Sequence, residues 1–336
     1  MRKVLFYTAA CICNILISRI SFSQVNKVES IGITVKDMGR SVKFYTKVLG
    51  FKKISEAEYS GKEVEQLYGL FGINIKIARL QLGSEIIELT DYLTAGGRSI
   101  PEDQMSNDLF FQHIAIVVSD MDKAYKHLIK YNVEHVSTAP QTLPKSIPAA
   151  EGIKAFYFRD PDDHNLELIF FPPGKGAEKW QQRNGKIFLG IDHTAIGVSS
   201  TETSHAFYMD LLGIQRKGES MNKGTEQEHL NNIEGASLRI TGYRAAEGPG
   251  IEFLQYLIPG PGKSYPRHSR ADDIWHWQTT LIVNNADEIF NRLKAMNAVF
   301  VSRGLGNLIM KGIKTRSFIV RDPDGHALLI KQYVSQ

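Results

Sequence analysis

The chain reads as an α+β protein assembled from four copies of one strand–helix–strands unit. Three observations predict this. Four short apolar or alternating segments, 28–35 (VESIGITV), 112–118 (QHIAIVV), 191–198 (IDHTAIGV) and 277–283 (WQTTLIV), each run into a polar helix start and an amphipathic stretch. After each helix comes a break, then further segments of strand period. Over longer range, IELTDYL before NDLFFQHIAIVV in the first half is matched by IEFLQYL before DDIWHWQTTLIV in the second, and each pair is joined by a loop holding Gly, Pro and a basic residue.

The segments follow one another in a regular order. The helices are expected over 37–49, 120–131, 201–212 and 286–296, with Asp37, Asp120 and Ser200 or Thr201 as N-caps and Val42, Tyr45 and Leu49 at helical spacing. The second and fourth units close through nearly the same turn, FRDPDDH at 158–164 and VRDPDGH at 320–326. Proline presets φ there and glycine tolerates the left-handed region, so His164 and His326 are expected to cap or pack, not to ligate. The first and third units share an insert, 62–72 and 224–235, read as short helices over the sheet with side chains facing a pocket. The expected organisation is a domain over 27–172, a linker over 173–188 and a second domain over 189–334, each domain made of two units paired in sequence.

The N-terminus differs from the rest. A basic Met1-Arg2-Lys3, a mostly apolar run over 4–17 and small residues before Gln24 have the layout of a secretory signal peptide over 1–23. The apolar run falls short of the roughly 20 residues a membrane span needs, and lipoprotein processing at Cys11 is the weaker alternative. The expected location is therefore periplasmic or secreted. Removing the segment takes away both cysteines, Cys11 and Cys13, together with Arg2, Lys3 and Arg19 and no acid, so the formal charge falls from +4 to +1. No thiolate chemistry, nucleic-acid surface or membrane patch is then expected. The expected partner is a small-molecule substrate, and the expected state is a monomer or homodimer.

Side chains alternate across a strand. One face of each first strand is largely apolar (Ile31, Ile33, Val35; Ile114, Ile116, Val118; Thr194, Ile196, Val198; Thr279, Leu281, Val283) and belongs under a helix. The other carries Ser30, His113, His193 and Gln278 at one repeat position among small residues, which suits a cavity lining. On the closing strands Glu88, Glu167 and Glu252 stand between aliphatics, where a carboxylate is costly unless paired, protonated or metal-bound. The fourth unit has Leu329 there. A lone His or Glu on a strand is more often structural. The joint recurrence instead favours a divalent metal held by Glu88, His113 and Glu167 in one half and by His193, Glu252 and Gln278 in the other. Asp192 is read as a strand-edge acid, and His229, Trp275 and Trp277 as candidate lining of the second pocket.

Segments 28–51 and 191–214, with the RDPDGH turn, resemble the vicinal oxygen chelate superfamily of glyoxalases, extradiol dioxygenases, epimerases and antibiotic-resistance proteins. The resemblance covers all four units and implies paired βαβββ modules, each pair forming a curled sheet around one divalent ion (Mn, Fe, Ni or Zn). It places ligands at Glu88, His113, Glu167, His193, Glu252 and Gln278, with Ser30 and Leu329 standing where family enzymes often have ligands. The expected function is metal-dependent lyase or isomerase chemistry on a small oxygenated substrate, with Glu167 or Glu252 carrying the proton. A non-catalytic binding protein and a degenerate scaffold are the rivals. An extradiol-type dioxygenase becomes the alternative if units two and three pair, because His113 and His193 would then meet.

Overall fold

A computed structural model describes residues 25–94, 96–183 and 185–334, so the expected signal segment 1–23 lies outside the described residues. Unit one comprises β1 (Val25–Val35), α1 (Met38–Lys47), β2 (Lys52–Ser60), α2 (Lys62–Tyr68), β3 (Asn74–Leu82) and β4 (Glu85–Tyr92). Unit two comprises β5 (Gln112–Val118), α3 (Met121–Ile129), the short β6 (Glu134–His135) and β7 (Gln141–Thr142), β8 (Lys154–Arg159) and β9 (Asn165–Phe170). Unit three runs β10 (Phe188–Gly197), α4 (Thr201–His205) continued by a π-helical turn over Ala206–Leu211, β11 (Gln215–Lys223), α5 (Thr225–Asn231), β12 (Ser237–Arg244) and β13 (Gly250–Ile258). Unit four has β14 (Trp277–Val283), α6 (Ala286–Ala295), β15 (Gly306–Met310), β16 (Ile313–Arg321) and β17 (Ala327–Tyr333). The fold is α+β with paired modules in two curled sheets.

The helices start where the caps direct. Asp37, Asp120, Ser200 and Asn285 each accept a hydrogen bond from the backbone N–H three residues on, which satisfies one of the orphan donors of the first turn. The inserts are short helices, α2 and α5, each entered through a glycine at positive φ (Gly61 and Gly224). No described helix is long and apolar enough to cross a membrane.

Pairing within each half, expected from sequence order, is corrected by the strand ladders. One sheet runs β15-β16-β17-β14-β1-β4-β3-β2 and joins unit four to unit one; the other runs β11-β12-β13-β10-β5-β9-β8-β6 and joins unit three to unit two. The seams are antiparallel first strands, β1 on β14 and β10 on β5. The halves nevertheless keep cores of their own. Ile31, Ile33 and Val35 pack with Ile114, Ile116 and Val118, with the helix residues Tyr45, Ala124 and Leu128, and with Leu49 just past α1 in one cluster. A second cluster gathers Ile196, Val198, Phe207, Leu281, Val283 and Ile289. Each fully buried side chain of this kind contributes about 1.5–3 kcal/mol. The helical faces thus bind unit one to two and three to four, while the sheets bind one to four and two to three.

The closing turns reinforce the helical faces. Asp160 accepts hydrogen bonds from the backbone N–H groups of Asp162 and His164 and from the Tyr45 hydroxyl of unit one. Asp322 repeats this with His326 and with Tyr208 of unit three. His164 lies between Asp160, 3.0 Å away, and the Ile274 carbonyl, 2.7 Å away. Burial opposes the charged ring, but the Asp160 carboxylate holds the His164 pKa above its ordinary value. This histidine packs and caps.

Candidate metal centre

The β5–β10 seam fixes the site. His113 lies opposite Ala195, and His193 opposite Ala115. The parallel neighbours β9 and β13 place Glu167 beside Ala115 and Glu252 beside Ala195. Small residues therefore alternate with long donors, and four side chains from four strands reach over two alanines towards one point. The Nε2 of His113 is 3.0 Å from Glu167 Oε2; the Nε2 of His193 is 3.6 Å from the same oxygen and 3.4 Å from Glu252 Oε2. Donor atoms of His113, Glu167 and His193 lie within 4.8 Å of one another.

Three of these groups are buried, and the Glu252 side chain remains 28 % exposed towards the pocket. Burial disfavours the Glu167 carboxylate, yet His113 and His193 hold its pKa down to about 2. Burial also disfavours a charged His193, but Glu252, Asp192 and Glu167 raise its pKa well above the usual value. Glu252 goes the other way: burial lifts its pKa, and Glu167 adds to the lift against the pull of His193.

This donor set fits a divalent ion. Both ring nitrogens of His113 and the Nε2 of His193 are buried without an aligned hydrogen bond, although carboxylates stand within ion-pairing distance. Buried polar atoms are rarely left so. Two imidazole nitrogens and two carboxylates are also a donor set that suits Mn, Fe, Ni and Zn.

The supporting shell includes a residue that strand periodicity misassigns. Asp192 is not a strand-edge acid; it is buried behind His193. One oxygen accepts from Trp180 Nε1 at 2.7 Å, and the other lies 2.7 Å from Arg244 Nη2 and 3.1 Å from His193 Nδ1. Burial would raise its pKa, but His193, Arg244 and Trp180 hold it well below the carboxylate range. A β-bulge between Ile191 and His193 interrupts the β10–β5 register at this residue, and a bulge re-aims side chains in that manner. With Nδ1–H donated to Asp192, the Nε2 of His193 faces the other donors and offers them a lone pair once its own proton is lost.

Above the donors, Ile153, Tyr157, Leu230 and Ile240 give the pocket apolar walls, and Asn222 and Gln227 a polar one. Its space, open mouth included, is about 590 Å³. The Tyr157 ring lies 4.9 Å from the His113 ring. Asn222 donates to Gln227 at 2.9 Å, and Gln227 donates in turn to Asn231, a chain that pins α5 over the site.

The other predicted residues are elsewhere. Glu88 and Gln278 belong to the β1–β14 sheet, at the register positions that Glu252 and His113 occupy in the β5–β10 sheet; Ser30 and Leu329 stand in for His193 and Glu167. They therefore complete no ligand set with the histidines. Trp275 and Trp277 do not line the pocket. Trp275 packs with Ile100 and Ile274, and Trp277 joins the core of the first half. His229 is exposed, with its Nδ1 2.8 Å from the Thr138 hydroxyl, and is not a lining residue either.

Paired βαβββ modules with a two-histidine, two-glutamate cluster across a seam define a class. The chain belongs to the glyoxalase/bleomycin resistance protein/dioxygenase superfamily, whose model matches residues 27–168 and 190–330. Among curated relatives, glyoxalase I of Saccharomyces cerevisiae is 26 % identical over 199 residues, a match spanning 54 % of this chain and 55 % of that protein, so about half the length of each. Among solved structures, glyoxalase I from Zea mays superposes with a TM-score of 0.60 at 16 % identity, covering 91 % of this chain and 92 % of that one. At that identity the likeness concerns the fold.

Proposed function

We propose that the pocket over His113, Glu167, His193 and Glu252 is the active site of an exported, divalent-metal-dependent enzyme with lyase or isomerase chemistry on a small oxygenated substrate. The observation that carries this reading is the convergence of two imidazoles and the Glu167 carboxylate within 4.8 Å of one another, with Glu252 3.4 Å from His193 and three ring nitrogens lacking an aligned hydrogen bond. His113, Glu167 and His193 would hold the ion, with Glu252 joining them when it is not carrying a proton. When bound, such an ion supplies Lewis-acid stabilisation for enolate-like charge on a substrate presenting two neighbouring oxygens.

The chain's own groups supply the rest. Glu167, buried between two imidazoles, stays ionised and fixes both rings. Glu252, the carboxylate that faces the pocket, takes the proton from the hydroxyl-bearing carbon next to the carbonyl and returns it to the former carbonyl carbon, while the hydroxyl proton passes between the two neighbouring oxygens. Asp192 keeps the proton of His193 on Nδ1. The apolar walls exclude water from the charge that develops, which strengthens every interaction there. One chain supplies all four donors, so a monomer carries a complete site and a homodimer needs no exchange of ligands. Export rests on the composition of segment 1–23.

A second reading has a specific observation behind it. Units two and three do pair, and His113, His193 and Glu167 then form the two-histidine, one-carboxylate set of an extradiol-type dioxygenase. Glu252 tips the balance to proton transfer, because it adds a second carboxylate on the pocket side. The test is to screen the metal-loaded protein against hydroxy ketones, epoxides and catechols while following oxygen uptake. Turnover without oxygen uptake, lowered about 10²-fold or more in Glu252→Gln with metal retained, is expected. Oxygen consumed with a catechol would establish the second reading, and ligand bound without turnover would make this a binding protein.

A further inference from the structure

The second curled sheet repeats the geometry of the first with different chemistry. Where the metal centre has His113, Ala195, His193 and Glu167, the β1–β14 seam has Gln278, Gly32, Ser30 and Leu329, and Glu88 alone keeps its carboxylate. The Gln278 side chain lies flat over Gly32, so that a Cβ there would stand 2.7 Å from its Cγ. Its Oε1 is 3.3 Å from His276 Nε2. Leu329 puts a buried aliphatic group where a ligand oxygen would be, and Glu88 is paired with Arg79 at 3.3 Å. A cation has no donor set here.

A pocket remains all the same. It has about 750 Å³ of space with its open mouth and lies between α2 and the β15–β17 strands. Leu67, Tyr68, Leu308 and Leu329 form a buried apolar interior, while Ile313 and Tyr333 expose apolar surface at the mouth. Arg79, Lys311 and Lys331 also line it. Two carboxylates face these three cations: Glu88, beside Arg79, and Glu29, 2.7 Å from Lys331. One positive charge is therefore uncompensated; the Nε of Arg79, buried 3.3 Å from Glu88 Oε1, makes no aligned hydrogen bond to it. Glu29 sits at the bulge of β1, the position Asp192 has in β10. It turns to Lys331 and Tyr333 instead of to a histidine.

We propose that this second pocket is a metal-independent binding site for one small amphipathic monocarboxylate, its apolar body against Leu67, Leu308 and Leu329 and its carboxylate towards Arg79 and Lys311. An apolar interior with a few convergent polar groups is the ordinary make-up of a small-molecule site. The excess cation selects the sign of the head group, and an anionic head that approaches the Arg79 guanidinium and the Lys311 ammonium gains charge-assisted hydrogen bonds.

The probes are octanoate, octanol and octylammonium, titrated calorimetrically into the full mature chain. One octanoate per chain is expected, bound about tenfold or more tightly than octanol, with octylammonium weaker still. Arg79→Gln is expected to remove the preference for octanoate over octanol. Ile313→Glu, at an exposed position that leaves the fold intact, is expected to weaken octanoate about tenfold and strengthen octylammonium. Chelator treatment and Glu167→Gln are expected to leave octanoate binding unchanged, which separates this site from the metal centre. Absence of saturable octanoate binding at millimolar concentration, equal binding of octylammonium, or loss of binding on chelation would each overturn the proposal.

Discussion

Replacing Asp192 by asparagine tests how the centre is held together. The carboxylate has three partners within 3.1 Å: Trp180 Nε1, Arg244 Nη2 and His193 Nδ1. Asparagine keeps the volume but has one acceptor oxygen and an NH2 in place of the second. If the oxygen stays on Trp180, the NH2 faces Arg244, a donor–donor clash, and points at His193 Nδ1. A donor aimed at Nδ1 drives the ring proton to Nε2, the atom whose lone pair must face the metal. Loss of such an outer partner typically costs 10–100-fold in metal affinity, or about 1.4–2.8 kcal/mol at 1.4 kcal/mol per tenfold. Unfolding should also become easier by about 1–3 kcal/mol, the cost of leaving a buried polar partner unsatisfied; the Arg244 share is small because that side chain is 36 % exposed and screened. The assay is competition for Zn or Mn against a chromophoric chelator, with thermal unfolding of the metal-free protein alongside. A folded Asp192→Asn variant with parental metal affinity would refute the positioning role.

Further outcomes follow from the same geometry. In the metal-free protein the folded pKa of Glu167 is about 2 against an ordinary 4.5. Its contribution to stability is therefore present above pH ~4.5 and lost as pH falls towards 2; acid denaturation of Glu167→Gln should be flatter across that window. His193 has the opposite sign, because its pKa is raised. Its ion pairing stabilises the metal-free fold below pH ~6.5 and is lost as pH rises through the folded value. Metal must displace that proton, so metal affinity should rise with pH between 6 and 8, measured by the same chelator competition. Leu166→Ala, which empties a fully buried position in the first-half core, should cost about 2–5 kcal/mol in denaturant unfolding. It should leave the metal stoichiometry of the folded fraction intact.

Much of this architecture is legible in the residues themselves. Strand alternation puts His113, His193, Glu167 and Glu252 on the cavity side of their strands, and the helix starts follow from Asp37, Asp120 and Ser200. The pairing of units is not legible, for two physical reasons. Neighbours in sequence are usually neighbours in space, and here they are, but through the helical faces that Tyr45 and Asp160 tie together, not through the sheets. Moreover, each half holds three ligand-like groups, so the polar pattern fits either pairing. Asp192 escapes notice because simple alternation places it opposite His193, and only the bulge brings it round. Trp275 and Trp277 show the converse error: aromatic residues beside a site-bearing strand position are more often core than pocket.

The most direct test of the central claim is the metal content of the chain in single variants from both sheets, by elemental analysis of the purified protein. One divalent ion per chain is predicted. It should be lost in His113→Ala and His193→Ala, which lie in different halves of the sequence, and retained in Glu88→Gln and Gln278→Ala. Two ions per chain, or loss of the ion in Glu88→Gln, would contradict a single centre built across the seam of units two and three.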